Sequence, residues 1–291
     1  MMNVQILDIK FGKQVQLQGQ VLMPDVTNPV PGAILCHGLG SGWGAVRSSG
    51  LSLAKHGIAS LIFDFRGHGG SEGIFDGNEA EDVIAAWQWL SQFDGVDGKR
   101  IALIGHSAGA RAAILAASEV DSPYAIVALS TPPDLDGKLG QDVFVYLEHW
   151  VKRGAEVMEY PKQGALPWLG GVYAMITRAW MYLRGYRLCV NWHKCFKALP
   201  NRKLSSALQR LGGCPKLFVH CRGDRQIPYQ TVLELYEKAP EPKELILANG
   251  GYHGTPLMPG NLRRRWISWV VNVLMNGERS SFLRESITSD K

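Results

Sequence analysis

Six short runs of almost unbroken apolar residues recur along this chain: "GAILCHG" at 32–38, "IASLIFDF" at 58–65, "RIALIG" at 100–105, "AIVALS" at 125–130, "KLFVHC" at 216–221 and "ELILAN" at 244–249. A strand with one face in water alternates apolar and polar residues, so runs like these belong to strands covered on both faces, as in a parallel sheet. Between them stand segments with helical spacing. They run from about Ser48 to His56, from Asn78 to Phe93 with Val83, Ala86 and Leu90 on one side, along the Ala-rich stretch after Ser107, from Tyr229 to Lys238, and from Asn261 to Met275. The alternation predicts an α/β fold: a mostly parallel central sheet with helices on both faces. The opening "VQILDIKFGKQVQLQGQVLMP" alternates on either side of Phe-Gly-Lys and reads as an antiparallel hairpin ahead of that sheet.

The alternation fails once. Residues 134–212 contain helix-compatible segments but no clear buried strand, and the strand pattern resumes at Lys216. The chain therefore divides into a core, 1–133 with 213–291, and an insertion, 134–212, placed before the fifth apolar run. The insertion differs in composition, holding Trp150, Trp168, Trp180 and Trp192 with Tyr146, Tyr160, Tyr173, Tyr182 and Tyr186. It also carries the positive charge, with 12 Lys/Arg against 6 Asp/Glu from Asp134 to Arg210 in a chain of net charge +5. The plain reading is a helical unit whose aromatic residues pack a small core of their own beneath Lys and Arg on the solvent face. The sharper one is contact with a lipid or membrane surface; Arg178, Arg184 and Arg187 do not share a helical face, which weighs against it. With no recognised binding motif, nucleic acid is not an expected partner.

A chain 46% hydrophobic and 20% charged has the composition of a folded, water-soluble protein. The stretch Gly164 to Thr177 is shorter than the ~18 residues a bilayer span needs, and Arg178 closes it. The five cysteines are scattered without a CxxC pair, and the first ten residues lack a basic-then-apolar signal pattern, so a reducing, cytoplasmic setting is expected. Cys36 and Cys221 fall inside apolar runs and read as buried small hydrophobes. Cys189, His193 and Cys195 have metal-binding side chains, but no second ligand pair stands at structural-zinc spacing. Neither metal nor cofactor is expected.

Ligands of open α/β sheets bind at the carboxyl ends of the strands, so the residues after each apolar run are the ones that can carry chemistry. There the chain places His37-Gly38-Leu39-Gly40, Ser107 within "GHSAG", Asp224 within "GDRQIP" and His253 within "GGYHG". Ser, Asp and His form a nucleophilic set: His253 as the base that takes the serine proton, and Asp224 to hold the imidazole in one tautomer and stabilise its cation. A tetrahedral intermediate also needs two fixed N–H donors, for which the Leu39 and Ala108 amides are the candidates. Gly105 and Gly109 clear space around a serine on a sharp strand-to-helix turn, and the helix that follows points its positive end at the site. Asp134 and Asp136, which follow an earlier strand, are the competing choice for the acid. His37, His68 and His106 read as loop-ordering residues, and "FRGHGGSEG" as a turn whose Arg66 and Gly67 shape the site entrance.

From about Gln14 to Met275 the chain resembles the α/β-hydrolase superfamily, on "HGLGSG", "FDFRGHGGSEG", "GHSAG", "GDRQIP" and "GGYHG" in order. The hairpin, the insertion and the last helix match that superfamily's antiparallel first strands, its cap domain and its closing helix. The resemblance implies an α/β-hydrolase fold with a helical cap before the strand that carries the acid. It also implies a serine hydrolase of carboxylesterase or lysophospholipase type, acting on a small-molecule acyl ester through a Ser107–Asp224–His253 triad and an acyl-enzyme. Ser107 in place of an elbow aspartate disfavours epoxide and haloalkane chemistry, and His-Gly-Leu-Gly departs from the His-Gly-Gly-Gly of hormone-sensitive-lipase relatives. Ala110, where prolyl-oligopeptidase relatives carry a second glycine, weighs against a peptidase. Lipid acyl hydrolases such as monoacylglycerol lipases, thioesterases and carbon–carbon bond hydrolases share the same triad. The fold also serves non-catalytic receptors and scaffolds.

Overall fold

The computed structural model describes residues 2–121, 123–134, 158–160, 187–198 and 202–277. The predicted hairpin forms from β1 (Val4–Phe11) and β2 (Leu17–Pro24), paired antiparallel from Val4 opposite Pro24 to Phe11 opposite Leu17. The six apolar runs become β3 (Val30–Cys36), β4 (Ala59–Phe63), β5 (Val96–His106), β6 (Ala125–Leu129), β9 (Lys216–Cys221) and β10 (Lys243–Ala248). All six pair in parallel. With the hairpin joined antiparallel to β4, they make an eight-stranded sheet in the order β1-β2-β4-β3-β5-β6-β9-β10.

The period of two along the central strands sorts their side chains between two cores. Ile34 and Cys36 of β3 and Ile101 and Leu103 of β5 face one core; Ala33, Leu35, Ala102 and Ile104 face the other. The first core is closed by α2 (Glu79–Leu90), α3 (Ala108–Ala117) and a helix over Gln230–Lys238; the second by α1 (Gly44–Lys55) and the last helix, Asn261–Asn276. Both faces being covered explains why these strands read as continuous apolar runs. Trp266, wholly buried, anchors the last helix and donates its indole N–H to the Pro256 carbonyl at 2.8 Å.

Strand order reverses at β3. The chain steps from β3 to β4 on one side and returns to β5 on the other, so the connections leaving β3 and β5 run to opposite faces of the sheet, the place where open α/β sheets bind ligands. His37–Gly40 and Ser107 leave the sheet there.

Most of the expected cap lies outside the described residues. What is described of 134–212 includes two short strands, β7 (Met158–Tyr160) and β8 (Leu188–Val190), paired antiparallel, and two helices, α4 (Trp192–Ala198) and α5 (Leu204–Gln209). The strands were not expected. Each has three residues, too few for an alternating pattern, and β8 finds further partners in the loop after β4 rather than in a regular strand. No described helix is long and apolar enough to cross a membrane. All five cysteines are free and buried.

Candidate active site

Ser107 has φ 56° and ψ −122°, a left-handed conformation that costs a non-glycine residue about 1–3 kcal/mol. Its surroundings impose it. The Ser107 N–H donates to the Leu129 carbonyl of β6 at 2.9 Å, while its own carbonyl already accepts the Ala110 and Arg111 amides of the first turn of α3. Both glycines are sterically required. A Cβ on Gly105 would overlap the Gly109 carbonyl and lie 2.5 Å from Ala110 Cα; one on Gly109 would lie 2.5 Å from the Cys36 carbonyl oxygen. The turn is thus pressed into β3 and its own helix, and the serine stays partly exposed at the helix N-terminus.

Asp224 and His253, 29 residues apart, meet at 2.7 Å between Oδ2 and Nδ1. The other carboxylate oxygen accepts the Gln226 and Ile227 amides at 2.9 and 3.0 Å. Burial pushes the Asp224 carboxyl upward, but the His253 hydrogen bond and these amides outweigh it and hold the group below the ordinary carboxylate value. An ionised Asp224 requires the proton of a neutral His253 on Nδ1, which leaves Nε2 as the basic nitrogen. Asp134 is committed elsewhere: its carboxylate accepts the Leu204 and Ser205 amides at 2.5 and 3.0 Å and caps α5. Asp136 lies outside the described residues.

Three further groups at this end of the sheet were not singled out from the sequence as neighbours of His253 or Asp224. His106 Nε2 donates to the His253 carbonyl at 2.8 Å with the two rings 4.7 Å apart, and Ser130 Oγ donates to the same carbonyl at 3.1 Å. The base is therefore tied to the ends of β5 and β6. His220 Nε2 donates to the Ile227 carbonyl at 2.9 Å and lies 3.5 Å from Asp224 Oδ2. His220 stands fourth before Asp224, inside an apolar run, which hid it.

The loop after β3 is held by two neutral histidines. His37 Nδ1 donates to the Gly38 carbonyl at 2.8 Å and its Nε2 accepts the Phe65 amide at 3.1 Å. His68 Nδ1 donates to the Arg66 carbonyl at 3.1 Å and its Nε2 accepts the Gly40 amide at 3.0 Å. Burial pushes His37 down to about 4 and His68 to about 3, so both rings keep an acceptor nitrogen across the physiological range. Among the described residues neither the Leu39 nor the Ala108 amide has an acceptor. The two loops touch: a Cβ on Gly38 would stand 3.2 Å from Ser107 Cβ.

Arg66 does not line an entrance. It is buried, with Nε and Nη2 on Asp82 at 2.9 and 2.7 Å and Nη2 also 2.9 Å from Glu81, so it anchors the loop after β4 to α2. Cys195 is buried with Sγ 3.6 Å from the Phe75 carbonyl, Cys189 is buried in β8, and no cluster of three metal-ligating groups occurs among the described residues.

The family model for the alpha/beta hydrolase family matches residues 33–264, from β3 into the last helix. The chain belongs to that family. Among curated relatives, an uncharacterized protein of Mycobacterium tuberculosis is 38% identical over 105 residues, 35% of this chain and 36% of its own length. An uncharacterized 31.7 kDa protein of Escherichia coli from the traX-finO intergenic region is 29% identical over 115 residues, 36% of this chain and 38% of its own. The alignments thus span little more than a third of either relative. Solved structures are similar over nearly the whole chain. An alpha/beta hydrolase of Penicillium sp. sh18 is 22% identical with a TM-score of 0.70, covering 94% of this hydrolase and 99% of its own chain. An esterase of Pyrococcus furiosus is 23% identical with a TM-score of 0.65, covering 94% and 91%. At such identities the likeness is one of fold.

Proposed function

We propose that this hydrolase is a serine esterase that transfers an acyl group from a small-molecule carboxylic ester to Ser107 and then to water. The observation that carries the reading is the 2.7 Å contact between Asp224 Oδ2 and His253 Nδ1, with the His253 carbonyl held by His106, the residue before the strained Ser107. The esterase among the similar structures accords with it. Ser107 Oγ attacks the ester carbonyl carbon as its proton passes to His253 Nε2, and the carbonyl electron pair moves onto an oxyanion facing the Leu39 and Ala108 amides. The tetrahedral adduct collapses, the C–O bond breaks, and the leaving alkoxide takes the proton from His253. Water then attacks the acyl-enzyme, gives its proton to Nε2, and the carboxylic acid leaves as Ser107 Oγ is reprotonated. Asp224 stays ionised throughout and stabilises the imidazolium.

The test is Ser107→Ala in the full chain, with p-nitrophenyl esters graded by chain length and a fluorophosphonate probe. Turnover is expected to fall by at least ~10³-fold and labelling to vanish; labelling of the variant, or a wild type that neither labels nor turns over any ester, overturns the reading and leaves a binding protein. Running the panel with and without anionic vesicles separates short-chain ester turnover from lipid acyl hydrolysis.

A further inference from the structure

We propose that His68 is a positioning residue for the Gly38–Gly40 loop, and that β8 of the insertion holds His68 in place. The inference rests on the reading of Leu39 as an oxyanion donor. The carbonyl of Gly38 accepts the Ser41 amide at 3.1 Å and His37 Nδ1 at 2.8 Å, and the Gly40 amide is committed to His68 Nε2 at 3.0 Å. The Gly38 carbonyl and the Leu39 N–H share one planar peptide group, so the bonds to that carbonyl orient the amide, and the next peptide group, Leu39–Gly40, is held by His68. Gly40 is exposed, with φ +73° and open space where a Cβ would stand, so its hydrogen bond to His68 is the contact that orders it. Without the His68 acceptor, the free glycine has every reason to sample other conformations and carry the Leu39 N–H off target.

His68 in turn is fixed from both flanks by the insertion. The Cys189 amide donates to the Gly67 carbonyl at 2.7 Å and the Gly69 amide donates to the Arg187 carbonyl at 2.7 Å, with Leu188 bridged to His68 itself. Further along, the Phe75 amide donates to the Cys189 carbonyl at 2.9 Å and the Asn191 amide to the Phe75 carbonyl at 2.8 Å. The Arg187 guanidinium reaches the Ser71 and Gly73 carbonyls at 3.4 and 3.0 Å. The loop after β4 is therefore paired with β8 through isolated bridges, and the path from insertion to site runs β8, Gly67–Gly69, His68 Nε2, Gly40.

The experiment uses the full chain with His68→Phe, which keeps a buried ring but no acceptor, His68→Gln, whose amide oxygen can accept the Gly40 N–H, and Arg187→Ala, which removes an exposed side chain. For each, kcat and KM on the best ester, inhibition by a trifluoromethyl ketone and inhibition by the product carboxylate are measured. His68→Phe is expected to lower kcat and weaken the ketone by the same factor, about 10- to 100-fold, with KM and carboxylate inhibition unchanged. His68→Gln should recover part of the loss, and Arg187→Ala should show a smaller loss of the same kind. Wild-type kcat in His68→Phe, or equal weakening of ketone and carboxylate, overturns the role of His68; wild-type kcat in Arg187→Ala overturns the part assigned to the Arg187 guanidinium. Should His68→Phe not fold, the Gln and Arg187 variants decide it by the same ratio. A wild type that no fluorophosphonate labels rejects the serine reading instead, so the two failures are told apart.

Discussion

At the scale of single residues, the site is a set of commitments made by hydrogen bonds. Asp224 spends one oxygen on two loop amides and the other on His253, so its charge and its direction are both fixed. Asp224→Asn keeps the shape but returns a donor where an acceptor is needed, favouring the wrong tautomer of His253. On the proposed mechanism its kcat should drop by about 10⁴-fold with little change in urea unfolding, and a loss under tenfold would argue against Asp224 as the acid. The competing choice is tested by Asp134→Ala. It should cost about 1 kcal/mol or more of stability by uncapping α5, seen as a lower urea midpoint, while keeping most of the turnover. Equal losses of kcat in the two variants would leave the acid unassigned to either.

Among the elements, α3 and the last helix do opposite jobs with opposite residues. The Ala-rich α3 has side chains small enough to approach β5 and β3 closely, which lets the Ser107 turn be tight; the last helix fills its face of the sheet with Trp266, Trp269 and Val270. Gly105→Ala and Gly109→Ala should therefore fail as more than local changes, because backbone atoms of β3 and α3 stand where each new Cβ would go. Trp266→Ala should lower stability by about 3–5 kcal/mol, read by urea denaturation, since it leaves both a large cavity and the Pro256 carbonyl without its donor. A cost under 1 kcal/mol would mean that this end of the helix contributes little. The loop after β4 is an element in its own right, pinned to α2 by Arg66 and to β8 by backbone pairing.

For the molecule as a whole, the buried histidines set the response to acid. Burial pushes His37 and His106 down to about 4 and His68 to about 3, and lowers His220 as well. Below pH ~6.5 the unfolded chain takes up protons at these positions that the folded chain refuses, so stability falls as pH drops from about 6.5 toward 4. Glu79 works the other way: burial raises its carboxyl to about 7, so the folded chain is the first to take that proton. Burial raises the Asp64 and Asp82 carboxyls as well, so four lowered histidines stand against three raised carboxyls, leaving a net loss of up to about 1.4 kcal/mol per pH unit for the uncompensated proton. The urea midpoint should accordingly be lower at pH 5.5 than at 7.5; a higher midpoint at 5.5 would contradict the buried, neutral state of these rings.

The parallel sheet, its hairpin, the helix positions and the Ser107 turn were all readable in the sequence, because each is encoded by neighbours: a run with no polar face, an apolar spacing of three and four, glycines two residues either side of a serine. The insertion is an expectation from a break in the same pattern. Only the tertiary structure decided which aspartate meets His253, that Asp134 caps a helix, that Arg66 turns inward to Asp82, and that His106 and Ser130 hold the His253 carbonyl from 147 and 123 residues away. Such contacts depend on which strand ends lie side by side. Strand order is a property of the folded sheet, and no local period records it.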